Sequence, residues 1–119
     1  ELRLACHDQT SNIEPLIEQI TKAMKCQRAV ITRGHRGSLA YSKKEGFFYV
    51  PVFSKEVVDR IGAGDAFFSI TSPCVLQKTP MEIVGVIGNA VGALKVLIVG
   101  NRSSVEPGPL LKYIGTLLK

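Results

Sequence analysis

The sequence predicts an α/β fold in which one helix is followed by three strands and then three helices. Three observations carry that prediction. Apolar residues recur at helical spacing between positions 16 and 24. Short β-branched and aromatic runs separated by glycine turns fill positions 29 to 53. From position 63 onward the pattern is helical again, interrupted only by proline and glycine.

Each element has its own local reason. Ser11-Asn12-Ile13-Glu14 has the spacing of a capping box, with Pro15 suited to a first helical turn. Leu16, Ile17, Ile20, Ala23 and Met24 then form one apolar stripe, which Lys25 and Gln27 end. Ala29 to Thr32 reads as a buried strand stopping at the turn Arg33-Gly34-His35-Arg36-Gly37. Ser38–Ser42 and Phe47–Phe53 flank Lys43-Lys44-Glu45-Gly46 and read as an antiparallel pair. A helix is expected from Ala63 to about Gln77, kinked or broken near Pro73. Thr79-Pro80-Met81-Glu82 is a helix start with Thr79 as cap, and that helix should reach Leu97. After a polar loop from Gly100 to Ser104, Pro109 introduces a last amphipathic helix.

Composition narrows the class. A chain of 119 residues holds one hydrophobic core, and 45% apolar with 21% charged residues excludes a disordered or fibrous chain. The net charge of +5 suits a phosphorylated ligand or nucleic acid, although ordinary soluble domains carry as much. Three widely spaced cysteines without a CxxC argue against a disulfide framework or a zinc site and for a reducing compartment, taken as cytoplasmic. No secretory leader is visible, and Glu1 reads as the middle of something longer. The apolar stretch from Ile83 is cut by Lys95, well short of the roughly 20 residues a membrane span requires. Its Gly88 and Gly92 therefore read as close helix packing in a core.

The chemistry concentrates in Asp59-Arg60-Ile61-Gly62-Ala63-Gly64-Asp65. Small residues at 62 to 64 allow a tight turn whose N–H groups point out of a helix N-terminus, a ready anion site. Asp65 in the first turn is favoured by the helix dipole. A proton acceptor beside a cradle for negative charge suits phosphoryl transfer to a hydroxyl. A bare Gly-x-Gly-Asp also fits an ordinary loop before a helix.

The longer string resembles the D-T-x-G-A-G-D-x-F motif of the ribokinase-like, or PfkB-type, carbohydrate kinases. Thr32-Arg33-Gly34-His35-Arg36-Gly37 resembles that family's T-x-G-x-x-G segment, and Gly88-Asn89-Ala90-Val91-Gly92-Ala93 its small-residue helix beside the adenine. The resemblance implies the C-terminal portion of a three-layer ribokinase-like sandwich. Asp65 would be the catalytic base and Gly62, Ala63 and Gly64 the anion hole. ATP would be held by Thr32, Arg33, Gly34, Gly37 and Asn89, with Mg²⁺ on its phosphates, and Glu1 is the candidate for ordering magnesium-bound water. Carried over, Asp59, backbone oxygens of Ile61, Lys95, Ile98 and Gly100, and Ser104 would hold a monovalent cation such as K⁺. Asn89 as a satisfied core amide and Ser104 as a helix cap are the competing readings.

Arg60 departs from the family's usual Thr, which favours an acidic or phosphorylated sugar. The resemblance implies ATP and a sugar as ligands, with neither nucleic acid nor membrane as partner. It matches only the C-terminal part of the family's usual length, so most sugar contacts are expected outside residues 1–119. The chain alone is accordingly expected to phosphorylate no sugar, and its open sheet edge to favour association into a homodimer. A nucleoside kinase of the same superfamily and a non-catalytic nucleotide-binding module are the alternatives.

Overall fold

A computed structural model describes residues 1–119. Nine elements follow in order: α1 Leu2–Ala5, α2 Ile13–Ala23, β1 Arg28–Thr32, a 3-10 turn Gly34–Arg36, β2 Ser38–Ser42, β3 Gly46–Val50, α3 Ala63–Leu76, α4 Met81–Lys95 and α5 Pro107–Leu117. The sheet is an antiparallel meander β1-β2-β3, with Thr32 opposite Ser38 and Ser38 opposite Val50.

The strand alternation divides the core into two halves. Leu39 and Tyr41 of β2 pack with Ile17 of α2, joined by Ala29, Ile31 and Phe47. Ala40 lies between them in sequence and faces the other way, against Met81 and Val84 of α4, with Val30 and Phe48. A two-residue side-chain period thus places α2 on one face and α3 with α4 on the other. The result is a three-layer α/β/α arrangement. Every residue of β2, the central strand, is buried.

Two glycines let layers approach. A Cβ on Gly37 would collide with the carbonyl oxygen of Val50, and the residue has a φ of +78°, so the end of β3 can lie against the turn after β1 only there. A Cβ on Gly88 would strike the Phe67 ring and stand 2.8 Å from Thr71 Cγ2, so this glycine sets the spacing of α3 and α4.

Several local expectations are corrected. The four-residue α1 was not anticipated. Ser11 does not cap α2: its hydroxyl donates to Asp8 Oδ2 at 2.5 Å, and Asn12 is the N-cap without a side-chain bond. β3 ends at Val50 rather than at position 53, because the Val50 and Pro51 carbonyls are claimed by α4. Pro73 does not break α3, which runs continuously to Leu76. Pro80 rather than Thr79 precedes α4, which stops at Lys95. α5 begins at Pro107 rather than at Pro109, its first turn tolerating a proline that has no N–H to lose. The three cysteines are free, and no helix is long and apolar enough to cross a membrane.

Candidate functional site

The N-terminus of α3 is the centre of the site. Gly62 adopts a left-handed conformation at φ 76°, which turns the chain sharply into the helix. The first N–H to bond back along the helix is that of Ala66, to Gly62 O at 2.9 Å. Ala63 N–H leans on Arg60 O at 3.3 Å, whereas the N–H groups of Gly62, Gly64 and Asp65 have no partner within the chain. The free donors are therefore not the expected trio of Gly62, Ala63 and Gly64. Asp65 replaces Ala63, whose N–H closes the preceding turn instead.

Two cavities meet at this helix end. One, of about 480 Å³, is lined by Thr32, Gly34, Gly37, Ala63, Gly64 and Asn89 among others. It brings together the three segments that the sequence singled out. His35, Lys55 and Arg60 add basic groups to its wall. The other, of about 660 Å³, contains Asp65 together with Glu1, Arg28 and Ser72. Thr32, Gly64 and Phe67 line both, so they form the partition between the two spaces. Asp65 is exposed on one side of that partition, in the cavity that Arg28 also lines, whereas His35, Lys55 and Arg60 stand on the other.

Two expected site residues, Arg33 and Asn89, have other engagements. Arg33 does not line either cavity; its guanidinium lies 5.6 Å over the Tyr49 ring, whose hydroxyl donates to Glu14 Oε1. That hydrogen bond holds Glu14 below the usual carboxylate range and raises Tyr49. Asn89 lines the smaller cavity, but its amide nitrogen donates to Val50 O at 2.9 Å and Pro51 O at 2.7 Å. Both of its side-chain donor bonds are thus spent on the protein's own backbone. Arg60 lines the smaller cavity and not the one holding Asp65, which sets its charge apart from the carboxylate's side.

The loop ahead of α3 is fastened to the end of α4. Val58 N–H and Asp59 N–H both donate to Val96 O, at 2.9 and 3.0 Å. The Asp59 carboxylate accepts from Ile61 N–H at 2.9 Å and from Gly100 N–H at 2.7 Å. Those two donors, Ile61 first, hold its carboxyl below the ordinary range, and the charge of Lys95 adds to the effect. Lys95 Nζ in turn donates to Gly100 O. Ser104 is turned away from this assembly toward Glu106 Oε1, at 2.6 Å. The Lys95 side chain is the component that sequence reasoning missed. A lysine inside an apolar helical run reads as an interruption unless its distant partner is known.

No group of three His, Cys, Asp or Glu side chains is placed to hold a metal ion. Glu1 and Asp65 are the two carboxylates that share the larger cavity. A magnesium ion suits such a sparse site, since it keeps several waters and takes most other ligands from phosphates.

Residues 1–107 match the family described as pfkB family carbohydrate kinase. The 2-dehydro-3-deoxygalactonokinase of Haloferax volcanii is 37% identical over 82 residues, covering 68% of this chain and 25% of that protein. Phosphofructokinase-2 from Escherichia coli, solved in complex with potassium, matches 100% of this chain and 39% of its own with a TM-score of 0.85 at 20% identity. Ribokinase of Arabidopsis thaliana, complexed with ribose and ATP, matches 88% of this chain and 35% of its own, with a TM-score of 0.73 at 22% identity. At such identities these two structures establish a ribokinase-like fold. The chain spans about a quarter of the length of the curated relative.

Proposed function

The chain belongs to the pfkB family of carbohydrate kinases, and from that premise we propose that it is the nucleotide-binding part of an ATP-dependent sugar kinase. The observation that carries the reading is the partition at Gly64. It separates a cavity walled by basic and small residues from one that holds a free carboxylate. In this reading the triphosphate of ATP lies in the smaller cavity, along Thr32, Gly34 and Gly37. The sugar hydroxyl approaches Asp65 from the larger one. The γ-phosphoryl group passes over the N–H groups of Gly62, Gly64 and Asp65.

The chemistry follows from the parts. Asp65 accepts the hydroxyl proton as the oxygen attacks phosphorus, and the unpaired N–H groups stabilise the charge on the phosphoryl oxygens. Their alignment along the dipole of α3 strengthens that effect. Lys55 and Arg60 balance the charge of the remaining phosphates. Bound Mg²⁺ would supply further charge neutralisation on the phosphates, and Glu1, which lines the neighbouring larger cavity, would hold one of its waters across the partition.

Sugar-dependent ATP consumption by the complete protein, tested with hexoses, ketoses and sugar acids, checks this reading. Turnover with sugars is the expected result. Turnover only with nucleosides would make it a nucleoside kinase, and ATP binding without turnover on either panel would leave a binding module. Residues 1–119 alone should bind nucleotide weakly and phosphorylate nothing. Orienting an acceptor is worth about 7–11 kcal/mol in well-placed reactions, and most of the sugar-orienting surface is expected elsewhere in the complete protein.

A further inference from the structure

Of the six groups expected to bind a monovalent cation, four are already engaged within the chain. Asp59 has an N–H donor on each carboxylate oxygen, from Ile61 and from Gly100. The Lys95 carbonyl accepts Ile98 N–H at 3.0 Å, and Ser104 donates its hydroxyl to Glu106. Most decisive is Gly100 O, which already accepts the Lys95 ammonium. A carbonyl oxygen bonded to one cation repels a second at the same point, and burial weakens the screening that could relieve this.

Lys95 is unusual in its own right. Its residue is only 6% exposed, although a lysine is almost never buried without a partner. Its side chain extends from the last turn of α4 to the loop ahead of α3. A Cβ built on Gly62 would stand 3.2 Å from Lys95 Cε and 3.7 Å from Nζ. The ammonium therefore lies close against Gly62, the residue that opens α3. Asp59 and Lys95 grip Gly100 together, one through its N–H and the other through its carbonyl.

We propose that the Lys95 ammonium is a built-in replacement for a bound monovalent cation: it fixes the Gly100 loop and places positive charge beside Gly62 of the anion hole, so the protein needs no K⁺ at this position. The contrast with phosphofructokinase-2, whose solved structure is a potassium complex, gives the proposal its point of comparison. The inference rests on the kinase reading only for the identity of the anion. Its test reads ion binding and stability, which a failure of that reading would leave unchanged.

The complete protein is titrated with Tl⁺, a K⁺ surrogate observable by NMR, and its thermal midpoint is compared in KCl and tetramethylammonium chloride at equal ionic strength. The wild type should give no saturable Tl⁺ signal and the same midpoint in both salts. Lys95→Met should lose about 4 °C or more in tetramethylammonium and regain part of it in K⁺. Saturable Tl⁺ binding or a K⁺-specific rise in the wild type overturns the proposal. So does a Lys95→Met protein whose midpoint is unchanged, or whose loss K⁺ does not relieve. If that variant fails to fold in either salt, the wild-type titration decides alone.

Discussion

Asn89 donates to the carbonyl of Pro51 at 2.7 Å, fastening the middle of α4 to the segment that leaves β3. The same amide reaches Val50 O at 2.9 Å, so a single side chain satisfies two carbonyls at the strand's end. The smaller cavity lies against this junction. Asn89 thus shapes the cavity by holding its wall, whatever else its carbonyl oxygen meets.

Asn89→Asp should therefore destabilise the protein by about 2–3 kcal/mol, the scale of leaving buried acceptors unpaired, and Asn89→Ala by a similar amount. Aspartate keeps the shape but has no N–H to give. Urea unfolding of both variants measures this. If Asn89→Asp kept full stability and lost only nucleotide affinity, the residue would act on the ligand and not on the wall.

Gly88 and Gly92 stand one helical turn apart yet have opposite surroundings. A methyl group on Gly88 meets Phe67 and Thr71, whereas nothing lies within 4 Å of one on Gly92, which lines the smaller cavity. Gly88→Ala should destabilise by about 1–3 kcal/mol through overpacking of α3 on α4. Gly92→Ala should be neutral or stabilise by up to about 1 kcal/mol, the helix-propensity gain of alanine over glycine. Gly92→Val should then weaken nucleotide binding by narrowing the cavity. Thermal unfolding and nucleotide titration separate the two effects, and equal destabilisation by both alanine variants would contradict the assignment.

The sequence pattern already foretold one of those glycines and not the other. Reading 88 and 92 as a packing pair was half right, because a spacing says which residues share a face but not what faces them. The strands, α2 and the helical second half were legible for the same reason: each repeats a period that burial enforces. α1 was not, since four residues do not complete a repeat. The glycine-rich end of α3 could be located from local chemistry alone. Its division of labour could not. That Ala63 N–H closes a turn, that Arg33 stacks on Tyr49, and that Lys95 reaches Gly100 all depend on partners set by tertiary packing.

The acid stability of the loop ahead of α3 should trace to Asp59. Its folded pKa lies below the ordinary aspartate range, held there by Ile61 N–H and Gly100 N–H. A depressed carboxyl contributes stability above its unfolded pKa and loses it as pH falls through the folded value. Asp59→Asn should accordingly lower the thermal midpoint near neutral pH, and the gap to the wild type should close as pH drops below 3.8. Asp8, lowered to about 2 by the Ser11 hydroxyl and nearby N–H groups, titrates in a similar acid range. It is unaffected by the substitution and so cancels between the two proteins. A gap that persists unchanged into strong acid would place the effect of Asp59 elsewhere than in its charge.

Asp65 is the residue on which the proposed chemistry turns, and its position separates two roles that a mutation usually confounds. Asp65 lines the larger cavity, while the groups proposed to meet the nucleotide line the smaller one. Its backbone N–H is unpaired and belongs to the proposed anion hole, and substitution of the side chain leaves that N–H in place. Asp65→Asn should therefore remove the base without disturbing the donors, cutting sugar-dependent turnover by about 10²-fold or more in the complete protein. Nucleotide affinity should hardly change, since no phosphate contact is lost and one negative charge near the anion hole is removed. Steady-state kinetics and a nucleotide titration on the same preparation decide it. A large fall in kcat with affinity kept supports the base. A fall in both together would mean that the side chain organises the start of α3, and near-normal turnover would remove Asp65 from the proton transfer altogether.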